Sequence, residues 1–390
     1  MQYSRSVKEL IQSRLGEKTP LIQVLIGPRQ VGKTTAIQQV LQGRGLYESA
    51  DSPVPLSANV IESWWKQALK TTDKILVIDE VQKISGWSEI LKKLWDQSSE
   101  QNRPKVIVSG SAALGIEKNL KESLAGRYEL LKAEHWNFEE AHRVFKVQIQ
   151  DFIEFGCYPG SQKFRSDVIR WGEYIRDAII EPAIGRDILQ VHPIENPALM
   201  KQLFALCASM PAAIISLQKL VGQLQDSGAI ATVQKYLELL QASFLVSPVM
   251  KYTQTPLRTR QSSPKIIIHD NALIRAVRRP MQSPLSAEEK GWYFENAVGA
   301  RLIESGSDVY YWKERDYEVD FVIHTPQGEK LAIEVKSSST SLKELCGLLE
   351  FCKKNPEFKP CLVSLVGQTF PQIHSLSVEQ MLSLNRQSRF

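Results

Sequence analysis

Between an apolar run, Leu21-Ile22-Gln23-Val24-Leu25-Ile26, and a helical pattern over 33–41 lies Gly27-Pro28-Arg29-Gln30-Val31-Gly32-Lys33-Thr34. No other stretch limits the fold so tightly. The run is bounded by Pro20 and Gly27, which predicts a short buried strand. A glycine-rich turn from such a strand into a helix lets successive backbone N–H groups point at one anion, with the positive helix end behind them. The pattern GxxxxGK[ST] is met without a mismatch, and Thr35 follows it. Gly27 to Thr35 are therefore the candidate nucleotide-binding residues. Lys33 is placed to reach the β- and γ-phosphates and Thr34 to ligate Mg²⁺.

Two further apolar runs, Ile75-Leu76-Val77-Ile78 and Lys105-Val106-Ile107-Val108, read as buried strands, with Ile90, Leu91, Leu94 and Trp95 as the inner face of a helix between them. Strand-helix-strand repetition predicts an α/β domain over 1–140 with a parallel sheet covered on both faces. Asp79 and Glu80 end the second run. At the carboxyl end of a neighbouring parallel strand, Asp79 is placed to hold Mg²⁺ and Glu80 to act as general base on water. Ser109 and Ser111 end the third run as candidate γ-phosphate contacts. Arg127 is a candidate arginine finger, acting on a neighbouring subunit of a homo-oligomer.

From about Asn137 to Met210 the pattern becomes mostly helical. Two helical stretches flank Asp226-Ser227-Gly228, a helix-turn-helix signature with Val233, Leu237 and Leu240 facing inward and Thr232, Gln234, Lys235 and Gln241 outward. Strands return at Lys265-Ile268, Val319-Ile323 and Leu331-Val335. In the last section Asp320 sits mid-strand, Glu334-Val335-Lys336 ends the next strand, and Glu295 lies on a preceding helix. Alternation along a strand puts Glu334 and Lys336 on one face beside Asp320. Such a set can bind one or two Mg²⁺ through Glu295, Asp320 and Glu334, with Lys336 orienting a water. The same residues also fit a non-catalytic fold in which Asp320 pairs with Lys336. A basic strip over 251–287 (Lys251, Arg258, Arg260, Lys265, Arg275, Arg278 and Arg279 against Asp270) is the footprint expected of phosphate backbones.

The order of these motifs resembles that of prokaryotic AAA-type P-loop ATPases that carry a C-terminal domain of unknown function. The likeness rests on Gly27–Thr35, Ile78-Asp79-Glu80-Val81-Gln82, Ser109-Gly110-Ser111, Leu124-Ala125-Gly126-Arg127, Thr232–Leu237, Glu318–Phe321 and Glu334-Val335-Lys336. It departs at His135-Trp136-Asn137-Phe138, where that family has a Pro-Leu-Ser-Phe-like segment. The last section also looks like a PD-(D/E)xK nuclease core, a restriction-endonuclease-like α/β fold. The expected organisation is thus an ATPase domain (1–140), a helical segment (141–212), a winged-helix-like module (213–262) and a nuclease-like domain (263–390).

The remaining bulk properties narrow the setting. A net charge of +5 says little about partners. Five cysteines, odd in number and without a CxxC pair, imply no zinc site or disulfide framework. Neither a signal peptide nor an apolar run long enough to span a bilayer is seen, so the expectation is a cytoplasmic protein without a membrane partner. ATP and Mg²⁺ are the expected cofactors. Two roles follow: an ATP cycle regulating an action on nucleic acid, DNA in preference to RNA, or a nucleotide-dependent scaffold whose nuclease-like domain is inactive.

Overall fold

The computed structural model describes residues 5–111, 116, 120, 122–189, 194, 196–224, 229–253 and 262–388. Two compact units form, Met1–Glu134 with Arg186–Pro193, and His135–Gly185 with Ile194–Phe390.

The first unit is built on a five-stranded sheet, with β1 (Ile22–Ile26), β2 (Leu46–Ser49), β3 (Ile75–Asp79), β4 (Lys105–Gly110) and β5 (Tyr128–Lys132) in the order β2-β3-β4-β1-β5. Every pairing is parallel. All residues of β1 and β3 are buried, as continuous apolar runs covered on both faces require. The helix Lys33–Leu41 follows β1 directly, and helix Trp87–Gln97 leads towards β4. In that second helix Trp87, Leu91 and Trp95 are buried, whereas Ile90 and Leu94 are only half-buried, so the inner face is rotated from the one expected. β2 and β5, both at sheet edges and mostly half-exposed, carry mixed polar sequences that gave no strand signal.

The second unit centres on a mixed sheet in the order β12-β11-β10-β9-β8-β6-β7, formed by β6 (Val246–Lys251), β7 (Lys265–Ile268), β8 (Asp308–Glu314), β9 (Tyr317–His324), β10 (Lys330–Lys336), β11 (Lys359–Ser364) and β12 (His374–Leu376). Phe351 of helix Cys346–Lys354 packs with Trp312, Val322, Phe358 and Leu362 in one core cluster. The helix Ala287–Glu304 carries Glu295 and is closed at its start by a capping box between Ser286 and Glu289. The described residues between 138 and 209 are mostly helical, as the pattern predicts, and Cys207 is a buried apolar residue.

Helices Leu217–Gln223 and Ile230–Ala242 are present; the Asp226-Ser227-Gly228 turn lies outside the described residues. Val233, Leu237 and Leu240 are buried, joined by Tyr236 and Leu239. β6 and β7 pair antiparallel, so the boundary expected at 262/263 runs through one hairpin. Pro248 in β6 weakened its strand signal, and β7 alone stood out as apolar. Among the described residues, no helix is long and apolar enough to cross a membrane.

Candidate functional site

Gly27 follows β1 where only a hydrogen side chain fits, because a Cβ would lie 2.2 Å from the Ala133 carbonyl oxygen. Gly32 takes φ of 97°, a left-handed conformation that glycine adopts without strain, and begins the helix that carries Lys33 and Thr34. Arg5 braces the loop by donating to the Val31 carbonyl at 2.8 Å. Inside the loop Lys33 Nζ donates to the carbonyls of Gly27 (2.9 Å) and Pro28 (2.7 Å). Burial pulls this ammonium down to about 8, against the carboxylates of Glu80 and Asp79, which favour its charge.

β4 lies between β1 and β3, and its Ser109 hydroxyl reaches Asp79 at the end of β3. Asp79, at the end of β3, accepts Thr34 Oγ1 at 2.7 Å and Tyr47 OH at 2.6 Å on one oxygen. Its other oxygen accepts Ser109 Oγ at 2.5 Å and the Glu80 N–H at 3.1 Å. Burial works to raise the carboxyl, yet the Ser109, Tyr47 and Thr34 hydroxyls with Lys33 outweigh it, so Asp79 sits below the ordinary carboxylate range. Glu80 has φ of 55°, an uncommon left-handed conformation for a side chain of its kind. Its Oε2 accepts Gln82 Nε2 at 2.7 Å and Ser111 Oγ at 3.5 Å. Gly110 makes room for that glutamine, since a Cβ there would lie 2.1 Å from Gln82 Oε1.

A hydroxyl and a carboxylate held together beside a glycine cradle and a buried lysine form the arrangement that binds a metal-nucleotide pair. Residues 19–142 match the family model described as "AAA domain". They form an AAA-type P-loop ATPase domain. Residues 146–284 and 290–384 match two models described as "Domain of unknown function (DUF8612)" and "Domain of unknown function (DUF4143)". No curated protein matches the chain. Among solved structures, the Walker-type ATPase paby2304 of Pyrococcus abyssi is 14% identical over 71% of this chain and 96% of its own, with a TM-score of 0.46. The Thermotoga maritima RuvB Holliday junction branch migration motor is 16% identical over 62% of this chain and 88% of its own, with a TM-score of 0.34. The Aeropyrum pernix ORC1 protein in complex with DNA is 12% identical over 71% and 92%, with a TM-score of 0.30. The assignment of the ATPase domain rests on the family match and on the geometry around Asp79.

Several residues of this site gave no motif signal. Tyr47 reaches Asp79 from the edge strand β2. Asp187 returns to the first unit from beyond residue 185 and grips Arg29 of the phosphate loop with two bonds, 2.8 Å and 2.6 Å. That pairing raises the Arg29 pKa above its ordinary value. Of the expected residues, Ser109 is fully buried and donates its hydroxyl to Asp79. Arg127 stands just before β5, whose first residue, Tyr128, aligns with Ile22 at the start of β1. It is thus at the end of the sheet opposite the phosphate loop, bound to Asp96 at 2.7 Å and 2.9 Å, and does not serve the site of its own chain.

In the second unit, the antiparallel register of β9 and β10 puts Glu334 beside Asp320, and the Val335 N–H donates to Asp320 Oδ2 at 2.8 Å. Lys336 pairs with Glu334 at 2.8 Å, not with Asp320 as the non-catalytic alternative had it. The cation facing Asp320 is Lys265, the first residue of β7. Its ammonium bonds Glu295, lies 3.5 Å from Asp320 Oδ1, and donates to the Asp320 carbonyl at 3.2 Å. Desolvation works against that charge, but Glu295 and Asp320 outweigh it and hold Lys265 above the ordinary lysine range. Burial, reinforced by Asp320, pushes Glu295 up to about 7 and Glu334 up to about 8. The expected metal ligands Glu295 and Asp320 thus already share a cation of the chain itself.

Among its described residues, the basic strip is broken up by burial and ion pairing. Lys265 and Arg275 are buried, Arg275 pairs with Glu154, and Arg278 pairs with Glu289. Arg258 and Arg260 lie outside the described residues.

Proposed function

We propose that the first unit hydrolyses ATP with Mg²⁺, and that the resulting change in the phosphate loop serves to regulate a scaffold rather than to drive cleavage of nucleic acid. The observation that carries the first half is the Thr34–Asp79 pair. A hydroxyl and a low-pKa carboxylate 2.7 Å apart, beside the glycine cradle, suit a small hard cation that takes oxygen ligands. Thr34 and Asp79 would hold Mg²⁺ there, and the ion would supply positive charge to offset that of the phosphates. Lys33, freed from the Gly27 and Pro28 carbonyls, binds the terminal phosphates. Glu80, steadied by Gln82, takes a proton from the water that attacks the γ-phosphorus, and the bond to the bridging oxygen breaks to give ADP and phosphate. The triphosphate also competes with Asp187 for Arg29, which offers the nucleotide a route to residues 186–189.

Asp79→Asn tests this reading. It is expected to abolish Mg²⁺-dependent phosphate release, and unchanged turnover would refute the site. A homo-oligomer acting through Arg127 predicts that mixing Arg127→Ala with Lys33→Ala protein restores some turnover; no rescue at any ratio removes the finger.

For the second unit we read the helices 217–223 and 230–242 with the β6–β7 hairpin as a winged-helix-like module, and β8 to β11 as a nuclease-like fold. Lys265 favours the inactive, protein-binding version of that fold, because Glu295 and Asp320 are neutralised without a metal. Incubating the full chain with DNA and RNA in Mg²⁺ or Mn²⁺ decides the matter. Cleavage that disappears in Lys336→Ala would restore the action on nucleic acid; none is expected.

A further inference from the structure

Three residues far apart in sequence, His135, His269 and Glu304, meet inside the second unit, and the ATPase and scaffold readings use none of them. All are buried, with exposures of 3%, 6% and 3%. His135 Nδ1 lies 2.5 Å from Glu304 Oε1, and His269 Nδ1 lies 3.4 Å from the same oxygen. Ligand atoms of the three residues all fall within 4.8 Å of one another, the group found among the described residues. His135 opens the segment in which this sequence departs from the family it resembles.

The surroundings fix these donors from outside. His135 Nε2 is held by Tyr158 OH at 3.0 Å and His269 Nε2 by Ser247 Oγ at 2.8 Å. The second oxygen of Glu304 is bonded by Arg301. Metal-binding histidines are oriented in this way, by a partner on the nitrogen that does not face the metal. A cavity of about 30 Å³ lies against the three residues, lined also by Asp270, Arg301 and Trp136. It has room for one water.

We propose that His135, His269 and Glu304 bind one divalent transition-metal ion of the zinc class, with a cavity water as fourth ligand. Two imidazoles and one carboxylate are donors that such an ion prefers. The hydroxyls of Tyr158 and Ser247 can accept as well as donate, so both rings can carry their proton on Nε2 and turn the Nδ1 lone pairs inward. The carboxylates of Glu304 and Asp270 offset the added charge, while Arg301 stays on Oε2, leaving Oε1 for the ion. The ion would tie together the start of the unit, the residue after β7 and the last turn of helix Ala287–Glu304.

The full chain, stripped with a chelator, is titrated with Zn²⁺ and separately with Co²⁺. Expected are a single equivalent per chain, a cobalt spectrum without thiolate bands, and a higher unfolding temperature. His269→Gln and Glu304→Gln should abolish uptake. Ser247→Ala removes no ligand and keeps the fold testable if those two do not fold; it should weaken binding about tenfold or more. The proposal is overturned if the wild-type chain takes up no stoichiometric metal, if the bound cobalt has thiolate ligands, or if Ser247→Ala binds as tightly as wild type. The three residues would then be a hydrogen-bonded polar core and nothing more.

Discussion

Each unit buries a carboxylate centre, and the two are kept in opposite states. Asp79 is hydrogen-bonded by hydroxyls and a backbone N–H, donors without charge that leave its negative charge in place and, with Lys33 nearby, hold its pKa down. Glu295, Asp320 and Glu334 crowd together instead, two of them are pushed up, and lysines answer their charge. Neutral donors prepare a carboxylate for a cation from outside, because a cation replaces them without repulsion. A buried ammonium satisfies the demand permanently. Similar residue types thus serve opposite ends, according to what completes the shell.

The comparison can be broken at either centre. The largest effect is expected from Lys265→Met, which leaves Glu295 and Asp320 without a buried counter-charge. A loss of about 3–5 kcal/mol in unfolding free energy should follow, as for other broken buried pairs. Denaturant titration measures it, and partial recovery in Mn²⁺ would show that the acidic centre can still take an external ion. Next is Lys33→Ala, expected to lower phosphate release by roughly 10²–10³-fold, the scale of losing one preorganised donor. Turnover at the wild-type rate would put the phosphate contact elsewhere.

A smaller effect sharpens the contrast through pH. Lys33 has to be charged to bind phosphate, and in the free protein it sits near 8. Nucleotide affinity should therefore be level below pH 8 and fall above it, by at most about tenfold per pH unit. Fluorescent-nucleotide titration from pH 6.5 to 9.5 (a range of roughly three units around that value) reads the bend; a flat profile contradicts it. The smallest expected change is in Asp187→Asn, which removes a carboxylate from beside the phosphate loop. A gain in ATP affinity of about threefold, near 0.7 kcal/mol, is expected; weaker binding would make Asp187 a positioning residue for Arg29 instead.

The sequence made the phosphate loop legible because its chemistry is contiguous. Gly27, Gly32, Lys33 and Thr34 act within one turn of chain, and Asp79 ends an apolar run that could only be a buried strand. Tyr47 was hidden in an edge strand whose polar residues broke the pattern. Asp187 contributes through distance folded away, 158 positions along the chain from Arg29. Lys265 was read as one charge in a basic strip because nothing local shows that the first residue of an apolar strand points its ammonium at two acids. Charge counted along the chain does not reveal which charges are already paired in space. The nuclease-like set was visible by spacing, but the cation that completes it was not.

The return of residues 186–189 to the first unit also bears on how the protein can be divided. A fragment cut at the contiguous limit of the matched ATPase region, residue 142, would carry Arg29 without Asp187. Dissection by a single scission would therefore yield a nucleotide site whose charge differs from that of the whole chain, and kinetic constants measured on such a fragment would describe a different enzyme.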